Sequence, residues 1–193
     1  MTFAALLDAN VLASVALADT LLRTAEAGLY RPLWSRRILE EVRYAVLRVH
    51  PDMDPSRIDS RIHAMNESFE DALVEGWEPL AEGIVVSTDP NDQHVIAAAK
   101  RGGADAIVTA NLADFPNGAL AQLGLHAVSA GDFLLDLADL DEWIVARVVV
   151  EQASATGRPP LAPAQVLAAL GAAGVPRFVD AIGPAVDKLV AAS

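Results

Sequence analysis

Short apolar runs that alternate with helical patterns constrain the fold of this chain more than any other feature. The run "FAALL" (3–7) is continuously hydrophobic, which is typical of a strand buried on both faces. "GIVVS" (83–87), "DAIVT" (105–109) and "LHAVS" (125–129) are further strand-like runs. "PLW" (32–34) indicates a brief extended piece. Helical patterns separate these runs. Repeated strand–helix units predict an α/β fold whose central parallel sheet is flanked by helices.

Capping residues set the expected helix boundaries. We predict a helix from about residue 11 to 26. Ser35 is a good N-cap for "RRILEEVRYAVLRV", and Asp54 followed by Pro55 predicts the start of a long helix in the segment that ends at Gly76. "NDQHVIAAAKRGG" predicts a helix with a glycine stop.

The strand signal ends near residue 139. Alanine-rich helical patterns occupy the remainder, with "TGRPPLAP" as a linker between them. We therefore predict an α/β domain over residues 1–138 and a helical C-terminal extension over residues 139–193. Packing against the core is the simplest role for this extension, although a dimer contact or a protein-binding role remains open.

Composition favours a folded cytoplasmic protein. Of the 193 residues, 53% are hydrophobic and none is cysteine, so neither disulfides nor thiolate metal sites are expected. Asp8 and Asp19 interrupt the apolar N-terminus, which therefore does not resemble a signal peptide. No run reaches the roughly 18–20 apolar residues that a membrane span needs, and we expect no membrane association.

The net charge of −12 argues against a broad phosphate-binding surface. The charge is unevenly distributed: residues 1–63 contain eight basic and eight acidic residues, whereas residues 64–193 contain six and eighteen. Either a positive rim or an ordinary solvated helix face would explain the early arginines, which are Arg31, Arg36, Arg37, Arg43 and Arg48.

Acidic and amide side chains follow three of the predicted strands. In parallel sheets, ligands collect at the carboxyl ends of the strands. Glu40 or Glu41, on the helix after Ser35, could reach the same edge. Such a group of oxygen ligands suits Mg²⁺ or Mn²⁺ better than zinc, and the four histidines lack paired ligand spacing. The residues at the strand ends are Asp8, Asp89, Asp92, Asn111 and Asp114.

Structural roles compete with this metal-site hypothesis. Asp89 before Pro90 is a natural N-cap, and Asp92 could complete a capping box. Asp8 could cap the first helix, and Asp114 could be a solvent-facing loop residue. These roles are compatible with a site, since a helix N-terminus favours an ionised carboxylate.

Adjacent residues on a helix point in different directions, so one of the two glutamates serves the site. Glu41 has apolar neighbours on its helix, whereas Glu40 has arginines within pairing distance. We predict that Glu41 points inward and that Glu40 forms surface pairs. His94 is predicted to be a helix-surface residue rather than a base.

Four segments, taken in order and spacing, resemble the PIN domain. They are "LLDANVLAS", "SRRILEEVRYAV", "DPNDQHVIAAAKRGGADAIVTANLADF" and "AVSAGDFL". The resemblance covers roughly residues 3–138 and is greatest to prokaryotic PIN proteins that include the VapC-type toxins of toxin–antitoxin pairs. It implies a three-layer fold and a Mg²⁺- or Mn²⁺-dependent endoribonuclease with an acidic cluster at the sheet edge.

The resemblance also implies roles for individual residues. By position the family's acids are Asp8, Glu41 and Asp92, and the fourth falls on Asn111 or on Asp114. Asn111 carries no charge, which favours Asp114 as the fourth acid. The missing charge also argues against a metal ion at a second position. Asp8, Asp92 and Asp114 would bind metal, and all four acids, Glu41 included, would be catalytic.

The resemblance further implies residues that bind or orient the substrate. Asn10, Thr109 and Asn111 occupy polar positions suited to orienting ligands or the substrate phosphate. Arg36 and Arg37 would bind flanking phosphates of the RNA. Relatives commonly form homodimers and are neutralised by an antitoxin, so both partners are expected here.

Two alternatives remain. A haloacid-dehalogenase-type phosphatase also has an Asp after its first strand, but it needs a second Asp where this chain has Asn10. A PIN fold weakened at Asn111 could instead bind RNA or protein with little or no catalysis. Nothing in the sequence identifies the RNA that would be cut.

Overall fold

A five-stranded, all-parallel sheet organises the structure. The structure, a computed structural model, describes residues 3–84 and 89–192. In that part of the chain the strand order is β3–β2–β1–β4–β5, and helices flank the sheet. The α/β class predicted from the sequence is therefore confirmed. The strands are β1 (Ala4–Leu7), β2 (Arg31–Ser35), β3 (Leu73–Val74), β4 (Ala106–Val108) and β5 (His126–Val128).

β1 is the central strand because it can be buried on both faces. All four of its residues are buried, and it pairs in parallel with β2 on one side and β4 on the other. The Asp105 carboxylate accepts a hydrogen bond from the Ala4 amide at 2.8 Å, just before β4 begins. The predicted strand at 83–87 falls mainly on residues outside the described part of the chain.

The helices follow the predicted order with corrected boundaries. Three single 3₁₀ turns accompany them, at Pro90–Asp92, Leu112–Asp114 and Ala121–Leu123. The α-helices described are α1 (Ala9–Leu12), α2 (Val15–Glu26), α3 (Arg36–Val49), α4 (Pro55–Ser68), α5 (Glu78–Ala81), α6 (Gln93–Gly102), α7 (Asn117–Leu120), α8 (Ala130–Leu140), α9 (Glu142–Ala155), α10 (Pro163–Ala172) and α11 (Pro176–Ala191).

Three predicted helix ends are confirmed by their capping contacts. The Ser35 hydroxyl accepts a hydrogen bond from the Ile38 amide at 3.2 Å, and the Asp54 carboxylate accepts one from the Ser56 amide at 2.9 Å. Gly103 ends α6 with φ of 66°, a conformation that glycine adopts without steric cost. Local side-chain chemistry therefore sets these boundaries.

Two of the helix predictions were wrong in detail. The helix expected over 11–26 is two helices, α1 and α2, because Ser14 caps the second. The long helix after Asp54 ends at Ser68, and the segment then enters β3. Tertiary contacts explain this end: the Trp34 indole donates to Asn66 at 2.9 Å and packs edge-on against Phe69.

The chain forms two compact units. One contains residues 1–13 and 30–129, and therefore the whole sheet; the other contains residues 14–29 and 130–193. The second unit thus joins α2 to α8–α11. The domain boundary expected between residues 138 and 139 stays a prediction.

The second unit has its own apolar core. α11 packs on α8 and α9 through buried residues that include Phe178, Ile182 and Val186. The buried Thr20 hydroxyl donates to the Gln152 side-chain oxygen at 2.7 Å, which ties α2 to α9. The helical C-terminal extension is therefore confirmed. Within residues 3–84 and 89–192, no helix has both the length and the hydrophobicity that crossing a bilayer requires.

Replacing Gly102 with alanine should destabilise the protein by about 1–3 kcal/mol. A Cβ at this position would lie 2.8 Å from Val74 Cγ2 and 3.0 Å from Leu33 Cδ1, and the valine side chain is stiff. Chemical denaturation measures the change. Gly171→Ala is the matched control, because a Cβ there meets no atom within 4 Å; it should stabilise α10 by up to about 1 kcal/mol.

Candidate active site

Asp8 occupies the carboxyl end of β1 and is 7% exposed. Its Oδ1 accepts a hydrogen bond from the Ala9 amide at 2.7 Å, which caps the short helix α1. Its Oδ2 accepts hydrogen bonds from the Asn10 amide group and the Thr109 hydroxyl, both at 2.7 Å. Asp8 therefore caps a helix with one oxygen and joins a polar cluster with the other.

Thr109 and Asn10 connect the ends of two adjacent strands. Thr109, fully buried after β4, also accepts hydrogen bonds from Asn10 Nδ2 and the Asn111 amide, both at 3.0 Å. Asn10 Oδ1 accepts one from the Ala110 amide at 2.9 Å. The structure thus places both residues beside Asp8, as expected for orienting residues, and their roles stay predictions.

Burial raises the pKa of Asp8, and the negative charge of Glu41 adds to this effect. The hydrogen bonds from Thr109 and the Ala9 amide, with the nearby imidazole of His94, act in the opposite direction. The buried carboxylate is therefore held in place by donors that favour its charged form.

Asp92 lies in the combined field of three other acids. Partial burial and the charges of Asp8, Asp114 and Asp89 raise its pKa to about 6. Asp92 makes no capping hydrogen bond through its side chain at the start of α6, and its role as the acid of a capping box that begins at Asp89 stays a prediction. Asp89 does cap, accepting from the Asn91 amide at 2.8 Å.

Asn111 and Asp114 contact one another in the loop after β4. The Asn111 side-chain amide donates to Asp114 Oδ2, and Asp114 is half-buried whereas Asn111 is exposed. Asp114 raises the pKa of Asp92, which places its charge near the cluster. Which of the two fills the fourth position stays a prediction, with Asp114 favoured.

Glu41 reaches the cluster from α3. Its Oε1 lies 2.9 Å from His94 Nε2, and its charge acts on Asp8. The prediction that His94 lies on the helix surface was wrong, since His94 is 3% exposed. The missed signal was that His94 precedes Ala97 and Ala98 by three and four residues, on the face of α6 that faces the core.

The arginines form separate pairs. Arg37 lies 3.4 Å from Glu41, and Arg43 lies 2.6 Å from Asp59; the expected pairing of these arginines with Glu40 was therefore wrong. Arg31 donates to the Gly102 carbonyl at 3.1 Å. Arg36 and Arg37 are exposed at the start of α3, on the helix that carries Glu41.

Residues 4–113, more than half of the chain, match the family model described as the PIN domain. The chain belongs to the PIN-domain family. Residues 130–184 match a second family model, described as the VapC50 C-terminal domain. The family resemblance found in the sequence is therefore confirmed.

One curated relative is the protein named "Putative ribonuclease VapC50" from Mycobacterium tuberculosis (strain ATCC 25618 / H37Rv). It is 44% identical over 87 residues, which cover 45% of this chain and 51% of the relative. The match thus spans about half the length of that relative. No solved structure gave a significant match.

The acids of this PIN domain fit a divalent cation by their chemistry. Carboxylate oxygens are the ligands that Mg²⁺ and Mn²⁺ prefer. Burial and the neighbouring acids both raise the pKa of Asp92, and a bound cation would relieve the repulsion between the acids. Among the described residues, no three Asp, Glu or His side chains are arranged to hold a metal ion together. The chemistry of these side chains suits a divalent cation, but the side chains would have to move closer to one another to bind it.

Replacing Asp92 with asparagine should stabilise the metal-free protein at pH 8 by about 0.5–1 kcal/mol, after allowing for solvent screening. The folded protein holds the Asp92 proton more tightly than the unfolded chain does, because the pKa rises from 3.8 to about 6. Stability attributable to this group therefore falls as the pH rises from about 4 to 6 and stays low above it.

Urea unfolding of both proteins at pH 8 and near pH 4.5 measures this effect. The advantage of Asp92→Asn should shrink at the lower pH. Added Mg²⁺ or Mn²⁺ should stabilise the wild type more than the variant. Equal stability of the two proteins at pH 8 would contradict the repulsion.

Replacing Thr109 with valine should cost about 1–3 kcal/mol, because Asp8 and the Asn111 amide both lose a buried partner. Thr109→Ser retains the hydroxyl and should cost about 1 kcal/mol or less, for the lost methyl group alone. Thermal denaturation monitored by circular dichroism compares the two. A serine variant as unstable as the valine variant would show that methyl packing, not hydrogen bonding, is what matters.

Proposed function

We propose that this PIN-domain protein is a metal-dependent endoribonuclease that hydrolyses RNA phosphodiester bonds, and that it is the toxin of a toxin–antitoxin pair. The observation that carries the proposal is the raised pKa of Asp92, which lies near three other acids. Partial burial, together with the charges of Asp8, Asp114 and Asp89, raises its pKa to about 6. Acids from separate elements thus raise one another's pKa, which favours a bound metal over a purely structural cluster.

Asp8, Asp92 and Asp114 would hold the divalent cation, Mg²⁺ or Mn²⁺. When bound, the cation would polarise the phosphodiester and lower the pKa of a bound water. Asn111, which hydrogen-bonds Asp114, would orient that acid or a ligand. Thr109 and Asn10 would keep the Asp8 carboxylate in one orientation, because both donate to its Oδ2.

Glu41 would accept the proton of the attacking water as a general base. It is 40% exposed, so water and RNA can reach it. Arg36 and Arg37, exposed on the same helix, would bind phosphates that flank the scissile bond and locally offset the net charge of −12. In-line attack by the water would leave a 5′-phosphate and a 3′-hydroxyl.

The partners belong to the same proposal. The matches in both parts of the chain, to the PIN domain and to the VapC50 C-terminal domain, support the toxin assignment. A cognate antitoxin protein and a homodimer follow from it, and the cysteine-free sequence suits a cytoplasmic location. Light scattering at micromolar concentration tests the homodimer directly.

RNA cleavage should require a divalent cation and should fall at least about 100-fold in Asp8→Ala, the scale of losing a group that stabilises transition-state charge. A mixed RNA pool is incubated with Mn²⁺, Mg²⁺ or EDTA, and the cleaved ends are mapped by sequencing. Asp19→Ala is the matched control, because Asp19 pairs with Arg23 in the other unit. Cleavage that persists in Asp8→Ala or in Asp92→Asn would contradict the proposed site.

A second candidate function is RNA or protein binding with weak or no catalysis. One observation that favours it is the uncharged Asn111 at a candidate position for the fourth acid. The other is that, among the described residues, no three side chains are arranged to hold a metal ion. Retained metal binding with no cleavage of any RNA by the wild type would support it.

A further inference from the structure

Two residues on different helices meet in a short polar contact at the candidate active site. His94 Nε2, on α6, lies 2.9 Å from Glu41 Oε1, on α3. The two side chains differ in exposure: that of His94 is 2% exposed and that of Glu41 is 40% exposed. A buried imidazole thus contacts a carboxylate that is partly exposed to solvent.

The imidazole of His94 also packs against an aromatic ring. Its ring centroid lies 5.8 Å from that of Trp77, with the planes tilted by 52°, and Trp77 is also buried. Among the described residues, His94 Nδ1 is a buried side-chain atom without a hydrogen-bond partner. Leaving a buried nitrogen unpaired costs free energy. The contact between Nε2 and Glu41 therefore matters more for this ring, because Nδ1 offers no second polar contact among the described residues.

Arg37 is a weaker anchor for the same carboxylate. It lies 3.4 Å from Glu41 Oε1, and both side chains are at least 40% exposed, so solvent screens the pair. A carboxylate with three rotatable bonds loses orientation readily unless a buried partner holds it. The contact from His94 meets that requirement.

We propose that His94 is a positioning residue, which donates a hydrogen bond from Nε2 to Glu41 Oε1 and so presents Oε2 to the attacking water. This inference rests on the proposed nuclease function, which it deepens by naming the group that orients the base. His94 touches neither water nor RNA in this role, and it carries its proton on Nε2, because a carboxylate only accepts.

Steady-state cleavage kinetics test this role with two substitutions of His94, one that removes the hydrogen-bond donor and one that retains a donor. His94→Phe retains a ring but no donor, whereas His94→Gln places an amide N–H near the position of Nε2. The phenylalanine variant should lose about 10–100-fold in kcat, the usual scale for a residue that orients an active group, with KM changed less than about twofold. The glutamine variant should recover most of the loss.

Non-additivity with Glu41 separates positioning from packing. In a Glu41→Ala background, His94→Phe should cause no further loss of kcat, because its effect passes through Glu41. His63→Phe is the matched control: His63 pairs with Glu67 at 3.3 Å on the surface, and its replacement should leave the rate unchanged. Equal losses in both His94 variants, or full additivity with Glu41→Ala, would overturn the proposal.

Nitrogen-15 NMR of the imidazoles provides a readout that does not depend on cleavage. The wild type should show a solvent-protected proton on His94 Nε2, and that signal should be lost in Glu41→Ala. The same signal in both proteins would refute the contact. If the contact is present while the wild type cleaves no RNA, the proposed function fails and the hydrogen bond itself stands.

Discussion

Repulsion between carboxylates at the carboxyl ends of parallel strands is the constraint on which the rest of this site depends. The sheet places Asp8 directly after its central strand, and the segment before α6 brings Asp92 near it. The hydrogen bonds from Thr109 and the Ala9 amide to Asp8 counteract the cost of keeping a buried carboxylate charged. The short polar network of Asn10 and Thr109 is thus part of the same electrostatic problem, and a cation would complete its solution.

Much of the fold could be predicted from the sequence because its signals are local. Short apolar runs indicated β1, β4 and β5. Ser35, Asp54 and Gly103 marked helix ends through their own side-chain or backbone chemistry. The early end of α4 could not be predicted in the same way. It depends on contacts of Trp34 with Asn66 and Phe69, which only the folded chain brings together.

The candidate site divides along the same line. Acids that follow strands could be found, because the end of a strand fixes where the next residue lies. The ion pairs could not be found in this way. Helix spacing allowed both Arg37 and Arg43 to reach Glu40. In the structure Arg37 pairs with Glu41 on the same helix, and Arg43 pairs with Asp59 on α4. His94 was misplaced because polarity favoured the surface, while its position on the apolar face of α6 pointed inward.

The discontinuous unit that joins α2 to α8–α11 has a consequence for how the protein is made. α2 leaves the ribosome early, yet its packing partners α9 and α10 follow more than a hundred residues later. At ordinary rates of synthesis this delay is on the order of ten seconds. During that interval the apolar face of α2 lacks these partners, and the nascent chain is exposed to chaperones and proteases until α9 and α10 emerge.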